Sequence, residues 1–405
     1  MGKQQPDPPL SLQKYGVPFY SAAWVPHFHL QSKLPSSSSS SSQDHDGDDN
    51  NSGGGSTTTN DAPQPYYAVL AGGGGEGRSG IPNAVLLTRF DPASNSLSPQ
   101  PVAKRETGSD LPYRMVVHPG GDGLICAMPN SCRYYEWDQV KDGDEQKLDL
   151  KPSEKVLSPL EDVGQQLALA FNSDSSVLAV GGEDGNLRVL KWPSMEVILN
   201  EAQAHTSVKD LSFSLDGKFL VSLGGRGPGR VWDVTSATSV ASLSKENDEI
   251  FASCRFAQAN DNTPILYTAA ITGKGGSIAT WNTSTWKRIK SKNVVREPIS
   301  SFNVSPDGKL LAIGTAQGDV TIINAASMQN QMMVKKGHLG IVTAVAFSHD
   351  SRALVSASMD SSARVTLVED KNSGGGVNVG LILLIILLAI SAYFMKKGGL
   401  LPFLG

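Results

Sequence analysis

The pattern in the sequence most suggestive of chemistry is a glycine run, "AGGGGEGRSGIPN", at residues 71–83. Within it, the eight residues from Gly72 to Ser79 nearly match the phosphate-binding pattern G-x-x-x-x-G-K-[ST]. Arg78 stands where the pattern has lysine. Gly72 to Gly77 also match the dinucleotide-binding pattern G-x-G-x-x-G. The chemistry that both patterns suggest is the binding of nucleotide phosphates by bare backbone N–H groups.

Both patterns need a helix directly after the glycines, because the N-terminus of that helix holds the phosphate. Here the glycines are followed by "IPNAVLLTRF", in which Pro82 precedes a short apolar run. The repeats described next predict that this run is a strand. The sequence therefore argues against a nucleotide bound by this protein itself.

Five segments of the chain repeat one pattern, and they indicate what positions the glycine run. The segments begin at Phe171, Phe213, Phe256, Phe302 and Phe347, with spacings of 42, 43, 46 and 45 residues. A period of ~40–45 residues that contains several strands and turns is typical of WD repeats. Turn sequences such as "SPDG" and "SLDG" separate β-branched and apolar runs within each segment.

Two weaker copies precede these five segments. One is "VVHPGGDGLICAMPNSCRYYEWD" at residues 116–138, and the other begins with "FYSAAWVP" at residues 19–26 and continues through residues 66–91. Seven units predict an all-β fold, a seven-bladed WD-repeat β-propeller. Little chain follows "ARVTLV" at residues 363–368, so we expect residues before Phe19 to supply the strand that closes the ring.

The C-terminal region predicts one transmembrane helix. Val377 to Met395 contains no charge and is 19 residues long, which spans roughly the ~30 Å hydrocarbon core of a bilayer. Lys396 and Lys397 alone would place the C-terminus in the cytosol. However, no signal sequence precedes the large N-terminal domain, so we favour a single-pass tail anchor with that domain in the cytosol. The predicted organisation is a propeller at 1–370, a linker at 371–376, a transmembrane helix at 377–395 and a short luminal tail at 396–405.

The remaining features exclude several function classes. The low-complexity insertion at 31–65 contains a serine run at residues 36–42 and a polar tract after it that lacks core-forming residues, and it is predicted to be disordered. A net charge of −4 gives no attraction to nucleic acid. The three cysteines are expected to be reduced and buried, and His205 and His338 to form hydrogen bonds within their blades. We find no Ser/His/Asp set, H-E-x-x-H motif or spaced carboxylate pair, so the sequence does not predict an enzyme.

The repeats also show that the glycine run is longer than the connection between the same two strands in the other units. In the unit that begins at Phe171, residues 181–186 join the second and third strands, and residues 314–319 do the same in another unit. In the first unit the join is residues 71–83, thirteen residues instead of six. A long loop on a rigid scaffold is a common place for function, although a harmless insertion is the alternative.

The propeller, the C-terminal span and "GGGG…GIPN" in the first blade together resemble the ER-anchored guanine-nucleotide exchange factors of the Sar small GTPase, which start COPII vesicle budding and ER-to-Golgi transport. "KYGVPFYSAAWVP" at residues 14–26 resembles the plant members. The resemblance implies a K⁺ ion on backbone oxygens of Gly73, Gly74 and Gly75, and no nucleotide of the protein's own. It also implies an ER membrane location and a loop that presses on the switch region of the GTPase. The residues of this GTPase-contacting loop are Gly72, Gly73, Gly74, Gly75, Glu76, Gly77, Arg78, Ser79, Gly80, Ile81, Pro82 and Asn83.

Two other readings stay open at the level of the sequence. The first is a non-catalytic relative that helps particular cargo, such as phosphate transporters, to leave the ER. The second is a tail-anchored WD-repeat scaffold without exchange activity. An exchange factor needs no bond-making residue, because a partner that binds the nucleotide-free GTPase better than the GDP form must weaken GDP binding.

Overall fold

The computed structural model describes residues 9–26, 65–77, 79–142, 145–246, 248–259, 263–368 and Tyr393. These residues form 29 strands in seven antiparallel sheets. One short 3₁₀ helix, Ser158–Leu160, lies between two of the sheets along the chain. The predicted all-β, seven-bladed WD-repeat propeller is confirmed.

The strands follow the chain, one blade after another. The first strand is β1 (Leu12–Lys14). Blade 1 contains β2 (Phe19–Trp24), β3 (Tyr66–Gly72), β4 (Asn83–Asp91), β5 (Ser96–Leu97) and β6 (Ala103–Gly108). Blade 2 contains β7 (Arg114–Val117), β8 (Gly123–Ala127), β9 (Cys132–Asp142) and β10 (Glu145–Pro152). Blade 3 contains β11 (Gln166–Phe171), β12 (Val177–Gly182), β13 (Leu187–Lys191) and β14 (Val197–Glu201).

The later blades repeat this arrangement. Blade 4 contains β15 (Asp210–Phe213), β16 (Phe219–Leu223), β17 (Gly229–Asp233) and β18 (Thr238–Leu243). Blade 5 contains β19 (Ile250–Gln258), β20 (Pro264–Thr272), β21 (Gly275–Asn282) and β22 (Arg288–Val295). Blade 6 contains β23 (Ile299–Val304), β24 (Leu310–Thr315), β25 (Val320–Asn324) and β26 (Gln329–Val334). Blade 7 contains β27 (Val342–Phe347), β28 (Ala353–Ser358) and β29 (Ser362–Leu367).

The first strands of the blades surround the propeller axis. Each of β2, β7, β11, β15, β19, β23 and β27 contacts the next, and β27 contacts β2, so the ring is closed. These strands line a central cavity of about 670 Å³.

The ring is closed by the N-terminal strand, as the sequence predicted. β1 pairs antiparallel with β29 in blade 7, with Leu12 opposite Arg364 and Lys14 opposite Ser362. The Val365 N–H extends this pairing by donating to the Ser11 carbonyl at 2.9 Å. Blade 7 thus combines residues from both ends of the propeller sequence.

The hydrophobic core lies between the faces of adjacent blades. Between blades 1 and 7, for example, Leu70, Leu86 and Phe90 pack with Ala353 and Val355, and all five are buried. β3 and β4 are buried over most of their length because blade 1 has neighbours on both faces. Truncating a leucine in such a core costs about 2–5 kcal/mol of unfolding free energy, so this packing fixes where β3 and β4 lie.

His205, which is half-buried, and His338, which is buried, form hydrogen bonds within their own blades, as expected. In blade 4, His205 Nε2 lies 2.8 Å from Ser222 Oγ, and Trp232 Nε1 donates to the same oxygen at 2.8 Å. In blade 7, the two ring nitrogens of His338 lie 2.6 Å from Ser362 Oγ and 2.8 Å from Ser356 Oγ. Burial lowers the pKa of each histidine to about 4, so both rings are neutral in the folded protein.

The cysteines are also as expected, since Cys126, Cys132 and Cys254 are all buried thiols. Burial raises the pKa of the Cys126 thiol well above its ordinary value and that of Cys132 to about 12. Neither group forms a reactive thiolate at neutral pH.

Several predictions fall outside the described residues. The insertion predicted to be disordered lies outside them except for Pro65, and so does the membrane span except for Tyr393. The chain divides into two compact units, Met1–Leu367 and Val368–Gly405. Within the described part of the chain, no helix has the length and apolar character that crossing a bilayer requires.

Candidate functional site: the glycine loop of blade 1

The glycine loop joins β3 to β4, the second and third strands of blade 1. It runs from Gly73 to Pro82, ten residues, whereas Glu183–Asn186 makes the same connection in blade 3 with four residues. The predicted elongation is therefore present, although Gly72 and Asn83 belong to the strands and the loop is shorter than the thirteen residues expected. A strand follows the glycines, as predicted, and not the helix that a phosphate cradle needs.

The first three glycines are enclosed by neighbouring atoms. A Cβ on Gly72 would lie 1.9 Å from the Pro18 carbonyl oxygen, and one on Gly73 would lie 2.1 Å from Asn83 Oδ1. A Cβ on Gly74 would lie 2.2 Å from Ser79 Oγ. Cβ atoms do not approach other atoms this closely, so the base of the loop requires glycine for reasons of space.

Two groups outside the loop hold its base. The Gly73 N–H donates to the Pro18 carbonyl at 2.9 Å. The Asn83 side chain, only 3% exposed, accepts a hydrogen bond from the Gly75 N–H at 2.9 Å. Its amide group donates to the Gly75 carbonyl at 3.2 Å and to the Gly108 carbonyl at 3.0 Å. Because one side chain pairs with both polar groups of Gly75, the two ends of the loop are joined as in a narrow hairpin.

The tip of the loop has the opposite character. Its exposed residues are Glu76, Gly77, Ser79, Gly80 and Ile81. Ile81 is 38% exposed, although it is a large apolar residue. The Ile81 N–H donates to Ser79 Oγ at 3.3 Å, and Pro82 is half-buried. Arg78 lies outside the described residues.

The later glycines of the loop have free space around them. A Cβ on Gly75, Gly77 or Gly80 would meet nothing within 4 Å. Gly75 and Gly80 instead need glycine for conformation, since their φ angles are +77° and +71°. Thus the base of the loop is fixed by packing and hydrogen bonds, whereas the tip is limited only by its own backbone.

A cation at this loop would need backbone oxygen ligands. Among the described residues, no group of three or more His, Cys, Asp or Glu side chains could hold a metal ion. Gly73, Gly74 and Gly75 carry no side chain that would cover their carbonyl groups. Carbonyl oxygens are the ligand type that a weakly bound monovalent cation takes, and of these three the Gly75 carbonyl already accepts a hydrogen bond from the Asn83 amide.

The structure adds site residues that the sequence did not indicate. Pro18 and Gly108 hold the base through their carbonyl oxygens. Tyr15 fixes the segment before Pro18, because its hydroxyl lies 2.6 Å from Thr88 Oγ1 and donates to the Ser98 carbonyl at 2.8 Å. The glycine run followed by a strand was visible in the sequence, but these contacts join residues far apart along the chain.

Comparisons with known proteins agree with the fold and point to one family. The family model "WD domain, G-beta repeat" matches residues 163–190 and 329–366. The Arabidopsis thaliana SEC12-like protein 2 is 56% identical over 369 residues, which cover 91% of this chain and 91% of that protein. The guanine nucleotide-exchange factor SEC12 of Rattus norvegicus is 31% identical over 61% of this chain and 66% of its own length.

A solved structure supports the propeller alone. The crystal structure of Chaetomium thermophilum Raptor matches with a TM-score of 0.61 over 90% of this chain and 29% of that chain. The sequence identity is 12%, so the similarity concerns the fold and not the activity.

Proposed function

The chain belongs to the SEC12-like family of plant-type WD-repeat proteins, and from this premise we propose that it is a guanine-nucleotide exchange factor for a Sar-type small GTPase. The observation that carries the proposal is the contrast within the glycine loop. Its base is fixed by Pro18 and Asn83. Its tip presents to solvent Glu76, Gly77, Ser79, Gly80 and Ile81. A fixed base lets the tip push on a partner without folding back.

Exchange by such a loop requires differential binding and no bond chemistry. The tip inserts against a switch segment of the GTPase and displaces it from its contacts with phosphate and Mg²⁺. Ile81 provides apolar contact area, and Glu76 provides a negative charge near the site where the phosphates were held. Because the loop binds the nucleotide-free form better than the GDP form, GDP is released faster.

A K⁺ ion belongs to this proposal. Backbone oxygens of Gly73, Gly74 and Gly75 would hold it, and the ion would stiffen the part of the loop that Asn83 already restrains. When bound, it supplies positive charge and rigidity only. Replacing K⁺ by Na⁺ or Li⁺ at constant ionic strength should therefore slow exchange.

The proposed location is the ER membrane, with the propeller in the cytosol and a single span at residues 377–395. This location supports the function, since the GTPase would be activated at the membrane on which ER-to-Golgi carriers form.

The test is GDP release from a Sar-type GTPase loaded with a fluorescent GDP analogue. The full-length protein in detergent micelles and K⁺ buffer should accelerate release in proportion to its concentration. Ile81→Ala should slow release several-fold with an unchanged melting temperature, because Ile81 is exposed. Ile289→Ala is the matched control, since Ile289 is 59% exposed on the outer strand of blade 5.

If the folded wild-type protein binds the GTPase but does not accelerate GDP release, the exchange function is wrong. That result would favour a non-catalytic role in the ER export of particular cargo, such as phosphate transporters. Absence of any GTPase binding would favour a membrane-anchored scaffold.

A further inference from the structure

An exposed apolar surface lies on blade 7, the neighbour of blade 1, which carries the glycine loop. Three large hydrophobic residues form it, and we call them the blade 7 patch: Leu339 (79% exposed), Ile341 (42%) and Met359 (42%). Leu339 and Ile341 lie between β26 and β27, and Met359 lies between β28 and β29. The Met359 N–H donates to the Ile341 carbonyl at 3.2 Å, so the two loops form one surface.

The backbone under the patch is held firmly. His338, directly before Leu339, is 1% exposed and bonded to two serine hydroxyls. The Leu339 N–H donates to Asp360 Oδ2 at 2.7 Å. A leucine held outward on fixed backbone gains nothing from core burial but is preorganised for contact with another surface.

A hydrogen-bonded path connects the patch to the glycine loop. Two residues after Met359, the Ser361 carbonyl accepts a hydrogen bond from the Tyr15 N–H at 3.0 Å. Three residues after Tyr15, the Pro18 carbonyl accepts from the Gly73 N–H at 2.9 Å. Both the patch and the loop therefore adjoin the short segment between β1 and β2.

In the loops that carry the patch the exposed charged residues are lysines, whereas Asp360 is half-buried and accepts the Leu339 N–H. Lys335 and Lys336 are exposed in the same loop as Leu339, and Lys14 is exposed at the end of β1. An apolar centre with a cationic edge fits an apolar segment that carries acidic neighbours.

We propose that the blade 7 patch is a second contact for the small GTPase engaged by the glycine loop, and that it receives an apolar segment of that GTPase with acidic neighbours. The inference rests on the proposed function. In this arrangement the patch contributes affinity for the GTPase, and the loop accelerates GDP release.

The test is a titration of the GTPase with the full-length protein in micelles, with GDP release measured to saturation. For Leu339→Asp and for Met359→Asp we expect the concentration that gives half-maximal release to rise about tenfold, as for a residue near the centre of an interface. The maximal rate should stay within about twofold of wild type, because the loop is intact. Val156→Asp is the matched control, since Val156 is 66% exposed on the connection between β10 and β11.

A second variant tests the basic edge. Lys335→Glu combined with Lys336→Glu should slow association with the GTPase at low salt, and the difference should fade at about 0.5 M salt, where charges are screened. An equal difference at both salt concentrations would contradict the charge argument.

The outcomes separate this inference from the proposed function. If wild type accelerates release and Leu339→Asp matches it in both parameters, the patch proposal is wrong and the exchange function stands. If wild type only binds the GTPase, and Leu339→Asp weakens that binding, the patch stands and the exchange function fails. If Leu339→Asp instead converts a dimer of this chain into a monomer, the occupant is a second copy and the proposal is wrong.

Discussion

Blades 1 and 3 make the same strand connection in two different ways. In both blades the first loop residue bonds outside the loop: the Glu183 N–H donates to the Gln165 carbonyl at 2.9 Å, as the Gly73 N–H does to the Pro18 carbonyl. The blade 3 turn is also closed within itself, since the Gly182 N–H donates to the Asn186 carbonyl at 3.0 Å and the Asn186 N–H donates to Asp184 Oδ1 at 3.0 Å. In blade 1 the Asn83 side chain instead bonds to Gly75, so the loop is closed at its base and its tip can extend toward a partner.

Among the substitutions that test the difference between these two loops, Gly73→Ala should have the largest effect. The added Cβ would lie 2.1 Å from Asn83 Oδ1, so Asn83 must move and the base must open. We expect GDP release to slow about 100-fold, the effect of displacing a positioned group by about 1 Å. The matched change in blade 3 is Gly185→Ala, whose Cβ would lie 2.0 Å from the His205 carbonyl oxygen. Gly185→Ala should lower the melting temperature without changing the rate of GDP release. If Gly185→Ala slows GDP release as much as Gly73→Ala does, the two loops do not differ in function.

Asn83→Ala should have the next largest effect. It removes three hydrogen bonds at the base, so the half-buried Gly75 groups and the exposed Gly108 carbonyl lose their Asn83 partner. We expect a stability loss of about 1–3 kcal/mol and release slowed about tenfold. Asn186→Ala in blade 3 is the control and should leave release unchanged. Asn83→Asp, which keeps the acceptor but not the donors, should lie between wild type and Asn83→Ala when release and melting temperature are measured together.

Gly77→Ala tests the tip and should change little. A Cβ at this position meets nothing within 4 Å in the free protein. Release should change less than about twofold and the melting temperature should not fall, because Ala restricts the unfolded chain more than Gly does. A large loss of release with an unchanged melting temperature would show that the partner packs directly against Gly77.

The smallest expected effect on the loop is that of pH. His205 and His338 have folded-state pKa values of about 4, below the ordinary 6.5, so the unfolded chain binds protons first as the pH falls. Their stabilisation is complete above about pH 6.5 and is lost between about pH 6.5 and 4, up to roughly 3 kcal/mol for each residue. Urea unfolding at pH 7.0 and 5.0 would measure this loss.

The loop base has no titratable side chain among its hydrogen-bonding partners. The ratio of release rates between wild type and Ile81→Ala should therefore stay constant over the same pH range, at temperatures well below melting. A changing ratio would mean that the acid-sensitive blades influence the loop.

Most of the fold could be predicted from the sequence, because the repeats encode it locally. The spacing of Phe171, Phe213 and the later units, with turn residues between apolar runs, places each blade. The same register identified the run after Pro82 as a strand and the glycine run as an overlong connection. Closure by residues before Phe19 followed from counting the strands that remained.

The candidate site was less predictable, for a physical reason. Asn83 was predicted as a residue of the GTPase-contacting loop, and that contact stays a prediction. Its burial and three hydrogen bonds, which the sequence did not indicate, make it a support for the loop base. Pro18 contacts Gly73 because β2 pairs with β3, with Phe19 opposite Gly72, although residues 25–65 separate these two strands in the sequence. The blade 7 patch likewise requires knowing that the loops around Leu339 and Met359 are adjacent. Local patterns do not encode such long-range contacts.

The pairing of β1 with β29 has a consequence for biosynthesis. Leu12 leaves the ribosome long before Arg364, the residue opposite to it, so the first strand to be made must wait for the last. The segment between β1 and β2, whose Pro18 bonds to Gly73, gains its hydrogen bond from Tyr15 to Ser361 only when blade 7 has been made. The order of synthesis thereby delays the final fixing of this segment until the propeller is complete.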